Sequence, residues 1–173
     1  MNVVPNTGLE DDCLACREVE GVALSRELGA AVGSGDRAAA RAIAARISTL
    51  EVLIGVGAGT ALAALAVPLV ALLTEDPDVR STALAAALIL AGLMPLSALA
   101  FGLDGVFLGA GDGRYLRDSM LAASAPAWLA LGLVLVMGGT PAQIWMVIGF
   151  FVLLRVGFLS RRLTGSAWLM NRL

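Results

Sequence analysis

Three runs without a charged side chain dominate what this chain can fold into: Val52–Leu73, Thr82–Leu103 and Ser119–Leu154. The hydrocarbon of a bilayer is roughly 30 Å thick, and about 20 apolar residues of helix cross it. The first two runs have that length. The third is too long for one span and breaks at "GGTPAQ", Gly138 to Gln143, where Gly-Gly and Pro punctuate a turn. The expectation is an all-α membrane protein with four transmembrane helices, at about 52–73, 82–103, 120–137 and 144–160. Composition agrees, since 58% of the 173 residues are hydrophobic against about 45–50% in ordinary soluble domains.

The connections sort by arginine. Arg37, Arg41 and Arg46 precede the first span, and Arg114 and Arg117 lie between the second and third. Arg161, Arg162 and Arg172 follow the fourth. "TEDPDVRS" (74–81) carries one arginine against Glu75, Asp76 and Asp78, and "GGTPAQ" carries none. Basic and non-basic connections alternate in step with the spans. The positive-inside rule therefore places the first and third connections and the C-terminus in the cytoplasm. The implied location is the plasma (inner) membrane, multi-pass. Residues 1–20 form an atypical polar N-terminus with no signal peptide. Residues 21–47 read as the end of a preceding helix, a loop and an amphipathic helix, and residues 164–173 as a cytoplasmic tail.

Much chemistry is excluded. The chain has no histidine, and all its basic residues are arginine. A Walker A loop lacks its lysine, and histidine-based acid–base catalysis and metal ligation are impossible. Cys13 and Cys16 form one C-x-x-C without further zinc ligands. We expect no metal, no cofactor and no enzyme. A net charge of −2 gives no footprint for nucleic acid.

Two segments echo each other. "ELGAAVGSGDRAAARA" starts at Glu27 and "FLGAGDGRYLRDSM" at Phe107. Each reads Leu-Gly-Ala, then Gly-x-Gly-Asp, then an arginine-bearing helical segment. Gly33 and Gly35, and likewise Gly109 and Gly111, suit helix termination in the left-handed conformation. Asp36 and Asp112 suit the N-cap of the next helix. Gly109, Gly111 and Gly113 do not make a dinucleotide fingerprint, because no strand precedes them. Gly55 and Gly59 share a helical face, either for close helix–helix contact or as filler. Pro68, Pro95 and Pro126 lie inside spans, as passive kinks or as pivots.

"LGA…GSGDRAAARAIAAR", "PLVALLTEDPDV" and above all "ALAFGLDGVFLGAGDGRYLRDSM" resemble the C-terminal lobe of the MATE (multidrug and toxic compound extrusion) transporters, in particular their DinF-like branch. The resemblance covers about residues 21–163. It implies a partial MATE-type helix bundle: the ninth to twelfth helices of twelve, after the tail of the eighth. It implies a cation-coupled antiporter, driven by H⁺ or Na⁺, that exports drugs or other organic compounds. The aspartate that binds protons on the first helix of the DinF-like branch has no counterpart here. An N-lobe is then expected from a separate chain or from self-association. The alternative is a truncated, non-transporting membrane fragment or a structural membrane protein.

Asp104 is the candidate for cation coupling. An ionisable group at membrane depth is costly and marks function by default. The resemblance places an aspartate at the matching position of a cation site in the sodium-coupled branch, although Ala100 replaces the tyrosine found there. The other reading is an interfacial aspartate in contact with water or Arg114. Arg155 either pairs within the bundle or snorkels to the interface. Glu51 marks the start of the first span.

Overall fold

The computed structural model describes residues 24, 26–165 and 168. All of its regular structure is helical, and no strand occurs among the described residues. A short helix α1 (residues 26–34) leads into α2 (Arg37–Leu73), α3 (Pro77–Gly109), α4 (Gly113–Val136) and α5 (Pro141–Thr164). These last four are each long and apolar enough to cross a membrane. They alternate in direction, so α3 and α5 run parallel to each other and both return to the end where α2 and α4 begin.

Chain chemistry sets each boundary. Gly35, Gly111 and Gly138 are the positive-φ residues, at +79°, +76° and +69°. Each closes the same double turn. Gly35 N–H donates to Val32 O and Asp36 N–H to Ala31 O; Gly111 donates to Leu108 O and Asp112 to Phe107 O; Gly138 donates to Leu135 O and Gly139 to Val134 O. This is the Schellman arrangement, which satisfies the last carbonyls of a helix and needs a residue without a Cβ penalty. The α2–α3 connection ends differently. Asp76 caps α3 by accepting the Asp78 and Val79 N–H groups at 2.9 and 3.4 Å, with Pro77 in the first turn. At the start of α5 the Gln143 side chain reaches back to the Thr140 N–H at 2.7 Å.

The helices are longer than the uncharged runs. The amphipathic segment after Asp36 and the first span form one continuous helix, since nothing near Ser48–Glu51 breaks it. Likewise α3 begins at Pro77 and reaches Gly109, beyond the 82–103 core of its span. Hydropathy marks the part of a helix that sits in hydrocarbon, whereas the caps mark where the helix ends. Pro68, Pro95 and Pro126 all lie inside helices.

α3 is the centre, packed on α2 along one side and on α5 along another, with α4 seated mainly on α5. The α2–α3 contact is a backbone contact. Gly55 and Gly59 are buried, and a Cβ on Gly55 would lie 2.6 Å from Pro95 Cα. The largest core forms at the end holding the α1–α2 and α3–α4 turns. There Leu28, Ala40, Ala44, Ile47, Leu103, Phe107, Leu159 and Trp168 bury together. Gly29 approaches Gly109 so closely that a Cβ on it would sit 3.2 Å from the Gly109 carbonyl, so the two echoed Leu-Gly-Ala segments pack on each other. Elsewhere the surface is apolar: Leu72, Leu73, Leu129, Leu133 and Val136 are all more than half exposed. A surface of that kind requires lipid or protein against it. The chain is a multi-pass membrane protein.

Candidate functional site

Two ion pairs hold α5, one to α3 and one to the turn that joins α3 to α4. Arg155 and Arg162 are seven residues apart, about two turns of α5, while Asp104 and Asp112 are eight apart, the first within α3 and the second just past its end. The rungs are Asp104–Arg155 and Asp112–Arg162.

The inner rung lies within the helices. Asp104 is five residues before the end of α3, or about 8 Å along its axis. Arg155 Nη2 donates to Asp104 Oδ2 at 2.5 Å, and the two side chains are only 13% and 16% exposed. The contact is a single end-on bond. Asp104 Oδ1 and Arg155 Nε are both buried without a hydrogen-bond partner. Of the readings open for Asp104, contact with Arg114 does not occur, because Arg114 is exposed in the first turn of α4. Arg155 takes the pairing reading and not the snorkelling one.

The outer rung corrects the expectation for Asp112. It occupies the N-cap position of α4, yet its carboxylate makes no capping hydrogen bond. It is buried and turned toward α5, where Arg162 Nε and Nη2 both engage Oδ2, at 3.0 and 2.9 Å. Charge-assisted bonds from a guanidinium outcompete a single backbone N–H. Asp36, which no arginine pairs among the described residues, does cap: it accepts the Ala39 N–H at 3.0 Å. Arg162 also lies 4.7 Å over the Tyr115 ring, within cation–π range. The Tyr115 hydroxyl donates to Phe158 O, and Phe107 stands between the Tyr115 and Trp168 rings. Arg162, expected only as a topology determinant, is thus part of the bundle.

The remaining sequence candidates separate as follows. Gly33 and Gly109 are helical and do not terminate anything; Gly35 and Gly111 do, because the Schellman turn takes one left-handed residue. Arg37, Arg41 and Arg46 are exposed. Arg114 and Arg161 are exposed, and Arg117 pairs only with its neighbour Asp118 in an exposed contact, which is worth little. Cys13, Cys16 and Arg172 lie outside the described residues. No metal-binding cluster occurs among the described residues.

Sequence reasoning did not find the partners of the two aspartates. The signal available was the matched spacing, D-x7-D against R-x6-R. It becomes readable only once α3 and α5 are known to be parallel neighbours. Separately, an apolar groove of about 330 Å³ runs between α4 and α5, lined by Ala127, Trp128, Leu131, Val147, Ile148 and Phe151 among others.

Apolar helices that cross a membrane repeatedly, with their charges paired inside the bundle, define a multi-pass integral membrane protein of the helical-bundle class. The MatE family model matches residues 21–136, and the chain belongs to that family. The match contains both aspartates and stops before both arginines. Over 119 residues the chain is 34% identical to Protein DETOXIFICATION 44, chloroplastic, of Arabidopsis thaliana. That alignment covers 66% of this chain and 21% of the plant protein, so the chain spans only a fraction of this relative's length. No solved structure matches.

Proposed function

We propose that the chain is the C-lobe portion of a cation-coupled secondary antiporter, of the DinF-like branch, that exports drugs or other organic compounds. The carrying observation is Asp104, an ionisable side chain inside an apolar bundle of a MatE-family chain. A carboxylate that can hold Na⁺ or H⁺ is what coupling requires, and a group so placed is functional by default. In this reading Asp104 takes the coupling ion, H⁺ or Na⁺, and lobes that rock against each other carry a small organic substrate across the bilayer. A second copy or a separate N-lobe chain completes the cavity, and no nucleic acid takes part. The alternating arginine content supports the inner membrane as its site, with the Gly35 and Gly111 turns and the C-terminus in the cytoplasm.

The test is efflux of an organic cationic dye from cells expressing the chain, with an intact or a collapsed ion gradient. The expected result is efflux that needs the gradient and is lost in Asp104→Asn. Efflux no faster than in cells carrying an empty vector, or unchanged by Asp104→Asn, refutes the proposal.

A further inference from the structure

We infer that Arg155 is a tethered counter-cation for Asp104, so that a coupling ion takes this carboxylate by displacing the guanidinium. The inference rests on the reading of Asp104 as the coupling site and adds a positioning residue to it. The outer rung serves as the internal comparison. Both rungs hold α5 and use the same two residue types, with Asp104 on α3 and Asp112 in the α3–α4 turn where α4 begins. At Asp112 the guanidinium engages through two nitrogens, Nε and Nη2. At Asp104 it engages through one, and leaves a buried acceptor, Oδ1, beside a buried donor, Nε. A side-on alignment would satisfy both. The inner pair therefore neutralises its charges without using its full bonding capacity, which is the condition for exchange.

No other described cation faces this carboxylate. From α2, the Glu51 side chain lies against Gly102, which is two residues from Asp104 and so on a different side of α3. From α4, the charged residues Arg114, Arg117 and Asp118 sit in the first two turns and are exposed. From α5, Arg155 alone reaches it; Arg161 is exposed and Arg162 belongs to Asp112. When a proton or Na⁺ neutralises Asp104, the guanidinium is left as an uncompensated buried charge. Arg155 lies nine residues before the end of α5, and its long stem can turn toward that interface. Ion binding thus removes the inner link between α3 and α5 while the outer link holds.

The test uses the full chain in lipid vesicles and a hydrophobic carbodiimide, which adds to protonated carboxyls in apolar surroundings. Labelling at Asp104 and at Glu51 is read separately by peptide mass spectrometry as a function of pH. A neighbouring guanidinium favours the unreactive carboxylate, so Asp104 in Arg155→Gln should label at least about tenfold faster than in the wild type at neutral pH. Arg155→Lys keeps the charge and should restore slow labelling. Glu51, which lies against Gly102 on a different side of α3, should label alike in all three chains. Sodium should slow Asp104 labelling at lower concentration in Arg155→Gln than in Arg155→Lys. If Arg155→Gln loses its helicity, the comparison of Arg155→Lys with the wild type decides: fast labelling of Asp104 in the lysine variant overturns the inference.

Equal labelling of Asp104 in the wild type and Arg155→Gln also overturns it, even if Asp104→Asn still abolishes efflux. Labelling that follows Arg155 in a chain without efflux supports the pair and refutes the transport reading alone.

Discussion

Alanine at Gly55 or Gly59 tests whether α2 and α3 are held by backbone contact. At Gly55 the new methyl would lie 2.6 Å from Pro95 Cα, 2.8 Å from Met94 O and 2.9 Å from Ala98 Cβ. At Gly59 it would come closer still to the Ala91 carbonyl. Ordinary contact needs 3.4 Å or more, so the helices must part by about 1 Å, and an interior packed like a crystal does not absorb that locally. Overpacking of this kind costs about 1–3 kcal/mol. Alanine also favours helix over glycine by up to about 1 kcal/mol, which conceals part of the loss. Gly57 supplies the correction: it is on the same helix with nothing within 4 Å of an added Cβ, so Gly57→Ala reports the helix gain alone. We expect Gly55→Ala to be about 1–3 kcal/mol less stable than Gly57→Ala, and Gly59→Ala to cost the most. Reversible unfolding of the full chain from mild-detergent micelles by added dodecyl sulfate, followed by circular dichroism, measures the differences. If all three variants unfold at the same dodecyl sulfate fraction, the close-contact account of the α2–α3 interface is wrong.

Other outcomes follow from the same geometry. Arg162→Gln removes the guanidinium from buried Asp112 and should cost about 1.5–3 kcal/mol, with Asp112→Asn costing less because Arg162 is 25% exposed; a double-mutant cycle in the same unfolding assay should give a coupling well above the scatter of independent sites. Gly111→Ala places a Cβ at φ +76° and should cost about 1–2 kcal/mol, whereas Gly113→Ala, with open space around it, should not destabilise. With Cys13 and Cys16 replaced by serine, new cysteines at Ser34 and Thr140 should react with an impermeant maleimide from opposite sides of the membrane. Labelling from one side would exclude an odd number of spans between them.

The expected spans were legible because the bilayer makes secondary structure a local matter. A chain in hydrocarbon must satisfy its own backbone, so an uncharged run of sufficient length is a helix whatever its neighbours. The turns were legible for a related reason: Gly35 and Gly111 close Schellman turns using bonds within six residues. What misled was also local. Asp112 looks like Asp36 in sequence, and both sit at a helix start, but only Asp36 caps. The difference is Arg162, fifty residues away. Gly55 and Gly59 shared a face in the sequence, but that this face meets Pro95 and Ala91 was not readable there.

The sequence by itself thus determined four membrane-length helices, their turns and the presence of Asp104 and Arg155 among apolar neighbours. Each of these depends on residues within a few turns and on the cost of burying polar groups in lipid. Only the tertiary structure decided that α3 lies between α2 and α5, that α5 is paired by two arginines to Asp104 on α3 and to Asp112 in the α3–α4 turn, and that the inner pair is bonded less completely than the outer. Those properties depend on which helices become neighbours and in what register. Apolar faces of nearly uniform Ala, Leu and Val specify that weakly, whereas close glycine contacts and paired charges specify it through groups far apart in the chain.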